Sequence, residues 1–239
     1  MIISRRNQYR GINAHLQALL QTWPYRSDWQ DFATGYLAEL RDILATDVAP
    51  LGYDVRIERS LQIDDDLSGT LVIPDPLKDL TPGSSLSNVS VMGTQQPIPR
   101  AIFTEEEGTA FSALSLRHPR RDRPLVWIEL LALASKPGGP YAQAYLDKRR
   151  LLLTTSLLVY IELDFNPGGS PTAHSLPDYS RDDPGSHAFG IIIADARGGR
   201  QDFEAAAVGF DVDQPIPAVT VLLLGDEQVT CAFDQAYQS

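Results

Sequence analysis

One acid stands where an acid is costly. Residues Leu125 to Leu133, LVWIELLAL, form an apolar run broken only by Glu129. Near-continuous Leu, Val, Ile and Trp, bounded by charge and by Pro-Gly, reads as a strand covered on both faces, the habit of parallel sheets. A carboxylate taken out of water without a partner costs several kcal/mol, so Glu129 is expected to be paired, protonated or bound to a metal ion. The next element supplies a partner. On a helical wheel over Tyr141–Thr155, the residues Tyr141, Tyr145 and Leu152 fall on the apolar side with Lys148 near its centre, while Gln143, Asp147 and Arg150 face outward.

A second acid, Asp75, follows the short strand Gly69 to Pro74, GTLVIP. Two carboxylates from neighbouring strands can hold Mg²⁺ together with water and a phosphate oxygen, and a lysine can position the attacking hydroxide. Asp75 and Glu129 are therefore the candidate metal ligands. Asp75, Glu129 and Lys148 are the candidate catalytic set, with Lys136 as the alternative lysine. Each has a plainer reading. Glu129 in a salt bridge to Lys148 or Arg149 would simply hold helix to sheet. Asp75 at a strand end is a common turn residue. Lys148 could snorkel to the helix edge, and Lys136 could be a turn residue. Glu162 and Asp164 lie two apart on one strand face, as a shared metal site or a solvated strand end.

The elements that must position these residues are legible. Ser27 and Gln30 form a capping-box pattern ahead of Asp28–Val48, where Trp29, Phe32, Tyr36, Leu40 and Leu44 recur at helical spacing. Tyr53 to Ile63 places Val55, Ile57, Arg59, Leu61 and Ile63 on one face of a half-buried strand. Weak strand signals follow around Asn88–Met92 and Ala110–Leu116. After the central strand come the turn Lys136–Pro140, the helix Tyr141–Thr155 and strands over Leu157–Phe165, His187–Ala196, Ala205–Val212 and Ala218–Leu224. A helix or turn holding Phe233 and Tyr237 ends the chain. The alternation predicts an α/β fold with a mixed central sheet flanked by helices. A single domain over 1–239 is expected, with long loops at 76–124 and 166–186.

Several segments also resemble a known family. WIELLALASKPGGPYAQAYLDKRRLLLTTSLLVYIELDF looks like its Glu-bearing strand, Lys-Pro-Gly turn, Tyr-x-x-Lys-Arg helix and hydrophobic acidic strand. The matching residues are Glu129, Lys136, Tyr145, Lys148, Arg149, Glu162 and Asp164. RGINAHLQ with WQDFATGYLAELRDIL resembles the opening motif, VIPD its Pro-Asp, and PIPAVTVLLLGDEQVTCAFDQAYQ its closing segment. The family is the bacterial domain-of-unknown-function family 4058, similar to Uma-type proteins of the PD-(D/E)XK endonuclease superfamily. The resemblance implies a restriction-endonuclease-like core and a metal-dependent nuclease hydrolysing nucleic-acid phosphodiesters. Leu133-Ala134 stands where the family usually has Ser-Pro. A second expectation is therefore a catalytically inactive nuclease fold that serves as a binding or assembly subunit.

Composition narrows the partners. Among 239 residues, 31 Asp and Glu against 20 Lys and Arg give a formal charge of −11, which argues against general coating of nucleic acid. One basic cluster, RHPRRDR, with Arg117, His118, Arg120, Arg121 and Arg123, could contact phosphate on a loop. Nucleic acid, a protein partner and a second copy are the expected partners, and a membrane is not. The amino terminus lacks a long apolar segment and no run approaches the ~20 residues that span a bilayer, so a cytoplasmic location is the default. The single Cys231 excludes an internal disulfide and a cysteine-based zinc site. His15, His118, His174 and His187 show no metal spacing, and no nucleophile elbow or phosphate-binding glycine loop is present.

Overall fold

A computed structural model describes residues 11–20, 26–63, 109–121, 123–198 and 205–239. A short helix α1 (Ala14–Leu20) precedes α2 (Arg26–Val48). The strands β1 (Asp54–Ile63), β2 (Thr109–Arg117) and β3 (Pro124–Leu130) follow, then helix α3 (Ala142–Thr155) and strand β4 (Val159–Asp164). The strands β5 (Phe189–Asp195) and β6 (Ala205–Phe210) extend the sheet. A hairpin of β7 (Val219–Leu222) and β8 (Gln228–Cys231) precedes α4 (Phe233–Gln238). Among the described residues the central sheet has six strands in sequence order. All neighbours are antiparallel except β3 and β4, which α3 connects in parallel.

The register explains why two neighbouring strands are buried on both faces. In β3 and β4, Val126, Ile128, Leu130, Val159, Ile161 and Leu163 point to one side and pack with Tyr36, Leu37, Leu40, Leu44 and Val48 of α2. Each such aliphatic burial is worth roughly 1.5–3 kcal/mol. The alternate residues, Trp127 and Tyr160, meet Leu152 and Leu153 of α3 on the opposite side. Period-two alternation therefore places Trp127, Glu129, Tyr160, Glu162 and Asp164 on the face that α3 overlies. Near its middle the helix α2 is tied to α4 by Tyr36, whose ring meets Tyr237 at 6.4 Å and whose hydroxyl donates to the Phe233 carbonyl at 3.3 Å.

The weak strand signal at Ala110–Leu116 is β2, the strand hydrogen-bonded to β3. The strands expected at Gly69–Pro74 and Asn88–Met92 lie outside the described residues, as does Asp75. The alternation read through Tyr53–Ile63 is interrupted, because a bulge between Arg59 and Leu61 leaves Ser60 without a cross-strand partner and shifts the register. Further on, the closing segment contains a second strand, β8, whose Val229 and Cys231 are buried between the exposed Gln228 and Thr230.

Candidate functional site

The bulge and the two parallel strands converge on Glu129, which is 2% exposed. Its Oε1 accepts the hydroxyl of Ser60 in a short bond and the indole N–H of Trp127 at 2.6 Å. Its Oε2 accepts the Lys148 ammonium at 2.5 Å and the Tyr160 hydroxyl at 2.7 Å. An ionised carboxylate offers about four lone-pair positions, so these donors satisfy it. Lys148, 1% exposed, also donates to Ser60 Oγ at 2.6 Å and stands 4.4 Å from the Tyr145 ring centroid. The plainer reading of Glu129 as a buried salt bridge that ties helix to sheet is what the geometry displays.

Electrostatics agree with the geometry. Burial pushes the Glu129 carboxyl up, but the Lys148 charge and the bonds from Lys148, Ser60 and Trp127 outweigh it and hold the group below its ordinary value. Burial draws Lys148 below the usual lysine range, and the attraction of Glu129 only partly compensates. Tyr145 and Tyr160 are raised well above the usual phenol, first by burial and then by the neighbouring carboxylates, and so remain protonated donors.

The network continues along the sheet. Glu129 and Glu162 are direct partners in the parallel register. Tyr160 and Tyr145 bridge them, with the two hydroxyls 2.7 Å apart and Tyr145 donating to Glu162 Oε2 at 2.6 Å. Glu162 also accepts Arg149 at 3.1 Å and, in a short bond, the Thr172 hydroxyl. Arg149 in turn donates to Thr172 Oγ1 at 2.7 Å and to its carbonyl at 3.0 Å. Among the described residues, Gln17 Oε1 is the one buried side-chain polar atom without a partner, so this network is complete.

Beyond Glu162, the expectation of a solvated or metal-sharing strand end gives way to two separate ion pairs. Glu162 is 1% exposed and paired with Arg149. Asp164 pairs with Lys136 at 2.7 Å. Lys136 is more than a turn residue, for its side chain is buried and also donates to the Asn166 carbonyl at 3.0 Å. Asp164 Oδ1 accepts the Asn166 backbone N–H at 3.0 Å. First burial, opposed by Lys136, pushes the Asp164 carboxyl up to about 6.

Of the residues singled out in the sequence, Glu129 and Lys148 come together, Lys136 joins Asp164, and Asp75 lies outside the described residues. The arrangement does not suit Mg²⁺ at Glu129, since protein donors occupy both oxygens and an ammonium already neutralises them. Among the described residues, no group of three or more His, Cys, Asp or Glu is placed to hold a metal ion. Ser60, Trp127, Tyr160 and Thr172 are the partners that sequence reasoning missed. Trp127 and Tyr160 were available in principle, each lying two residues before an acid on its own strand. Thr172 comes from the loop 166–186 and carries no sequence signal for this role.

The basic cluster lies elsewhere. Arg117 pairs with Glu58 at 3.1 Å, and His118 packs edge-on to Tyr53 with centroids 4.9 Å apart. Arg120, Arg121 and Arg123 line a hollow of about 320 Å³ with Pro124, Ser156 and Leu157. Pro124 begins β3 and Glu129 comes five residues later, a separation of roughly 16 Å along an extended strand. A phosphate held in the hollow would not reach Glu129. Cys231 is buried, which pushes its thiol up to about 12 and keeps it protonated. Among the described residues, no helix is long and apolar enough to cross a membrane. Set against models of protein families, curated proteins and solved structures, the chain matches none.

Proposed function

We propose that this chain is a restriction-endonuclease-like fold without nuclease catalysis, acting as a binding or assembly subunit. One observation carries the reading: the Glu129 carboxylate is closed off by Ser60, Trp127, Lys148 and Tyr160, and the lysine that would serve a nucleophile is spent on neutralising it. A carboxylate so engaged gives rigidity and register to the sheet–helix junction. The formal charge of −11 favours a protein partner with a basic surface over a nucleic-acid backbone.

A metal-dependent nuclease using Asp75, Glu129 and Lys148 is the second reading. Two observations favour it: the element order helix, three strands, helix, parallel strand among the described residues, and the meeting of Glu129 with Lys148. One assay separates the readings. Single- and double-stranded DNA and RNA are incubated with the protein and Mg²⁺ or Mn²⁺, beside a Glu129→Gln/Lys148→Met double variant checked for folding. The subunit reading expects no cleavage by wild type beyond that of the variant. Metal-dependent cleavage by wild type that disappears in the folded variant would overturn it.

A further inference from the structure

The sheet has a second polar locality that the Glu129 network does not use. Cross-strand partners share a face, and the register sets Asp164 opposite Gly190 and Gly190 opposite Gly209. Two adjacent glycines leave that face of the sheet bare beside a carboxylate. A cavity of about 290 Å³ stands over this row. A Cβ added at Gly190 would meet nothing closer than the Val208 carbonyl at 3.9 Å, so that position opens into free space. At Gly209 the space is taken. A Cβ there would lie 2.1 Å from the His187 ring, which closes the far end of the row. The His187 Nδ1 lies 3.1 Å from Asp211 Oδ2, and this contact orients the ring.

The polar floor of the cavity is incomplete. Asp164 receives one donor on each oxygen, Lys136 on Oδ2 and the Asn166 N–H on Oδ1. By the lone-pair count that Glu129 satisfies in full, Asp164 retains capacity for two more donors. Its side chain is 15% exposed, against 3% for Glu129. Above it, Pro167, Pro171, Leu176 and Tyr179 form apolar and aromatic walls, and Tyr179 is 44% exposed. Among the cavity's lining residues Asp164 and its partner Lys136 are the paired acid and base, and His187 stands at one end.

A carboxylate with unfilled acceptor positions, in a cavity walled by an exposed aromatic ring, matches one ligand chemistry. We propose that this trough binds a small organic cation, an amine, amidine or guanidinium on a compact apolar body, with Asp164 as its counter-ion and Tyr179 as a wall. The site is separate from Glu129, and its test does not depend on whether the protein cleaves nucleic acid.

Benzamidine is the probe, and benzoate, similar in shape and opposite in charge, is the control. Binding is followed by calorimetry and by amide NMR shifts on wild type, Asp164→Asn and Gly190→Val. Benzamidine should bind wild type saturably and shift the amides of Asn166, Gly190 and Gly209. Loss of the charged acceptor in Asp164→Asn should weaken it about tenfold or more. Gly190→Val fills the trough from open space and should abolish binding in a folded protein, which keeps the test decisive if Asp164→Asn fails to fold. Benzoate binding as tightly as benzamidine, binding that survives Gly190→Val, or no saturable binding of benzamidine would each overturn the proposal.

Discussion

Glu129 and Asp164 lie on the same face of adjacent strands, and each is salt-bridged to a buried lysine. They differ in how completely the protein answers them. Glu129 takes donors from four side chains and is held below the ordinary carboxyl value. Asp164 takes two donors, borders a cavity and is pushed up to about 6. Position on the sheet accounts for the contrast. The helix α3 covers β3 and the first part of β4, where Lys148, Tyr145 and Arg149 reach down. At the end of β4 a loop replaces the helix, and glycines replace side chains on β5 and β6. Thr172 marks the boundary, since it bonds Glu162 and Arg149 in the network and also lines the cavity. Burial of an acid thus identifies neither a structural nor a functional group until its donors are counted.

The largest effects should separate the two lysines. Lys148→Met leaves Glu129 buried and uncompensated, and should cost ~3–5 kcal/mol of unfolding free energy in urea. Lys136→Met should cost less, about 1–3 kcal/mol, because Asp164 can take a proton or meet water from the cavity. Equal losses would erase the distinction between a sealed and an open carboxylate. The double variant Glu129→Gln/Lys148→Met should recover most of the Lys148→Met loss. Removing both charges abolishes the desolvation cost, and the amide oxygen still accepts Ser60 and Trp127. A double variant no more stable than Lys148→Met would show that the four-donor arrangement, rather than the charge, holds the junction.

The two carboxylates should also titrate in opposite senses. Glu129 has a native pKa below 4.5, so its stabilisation is present above that value and is lost as pH falls through the native pKa. Asp164 is raised from 3.8 to about 6, so the native state holds its proton more tightly than the unfolded chain does. Its contribution is therefore greatest at acid pH and declines as pH rises through about 6, by at most ~3 kcal/mol. Lys136 and Glu162 are the charged groups that set this shift beside burial. Carboxyl-carbon NMR should place the Asp164 midpoint near 6 and that of Glu129 below 4.5. The decline in stability across that window should flatten in Asp164→Asn. A Glu129 midpoint above that of Asp164 would reverse the assignment of sealed and open.

Much of the Glu129 region was legible because regular elements have regular periods. The wheel over Tyr141–Thr155 put Lys148 on the sheet side, and Tyr145, Lys148 and Leu152 are buried there while Gln143 and Arg150 are exposed. An apolar run with one acid required a partner, and the helix delivered it. Ser60 escaped notice because a bulge moved it, and no alternation pattern announces a bulge in advance. The Asp164 trough was illegible for a different reason. It is made of absences, Gly190 and Gly209, aligned only when β4, β5 and β6 pair, and of a loop whose Pro, Gly and Asp content signals turns without saying what they cover. His187 was dismissed for lack of metal spacing, yet it closes one end of the trough.

The smallest effects should come from those two glycines, and they should differ in sign. Gly190 has ordinary backbone geometry and open space where a side chain would stand, so Gly190→Val should raise stability by about 0.5–1 kcal/mol through β-preference and a less flexible unfolded chain. Gly209 also lies in a strand and gains the same backbone benefit from Ala. The new methyl, however, would overlap the His187 Cβ, Cγ and Cδ2, all within 2.9 Å, and would drive the ring from its contact with Asp211. The His187 ring, 44% exposed, can swing into solvent, but its Cβ is fixed to the backbone and must shift with it, so Gly209→Ala should lose about 1–2 kcal/mol. Denaturation of the two variants beside wild type tests this directly. If Gly190→Val destabilised the protein as much as Gly209→Ala, the space over Gly190 would not be free in solution. The open carboxylate would then be as enclosed as the sealed one.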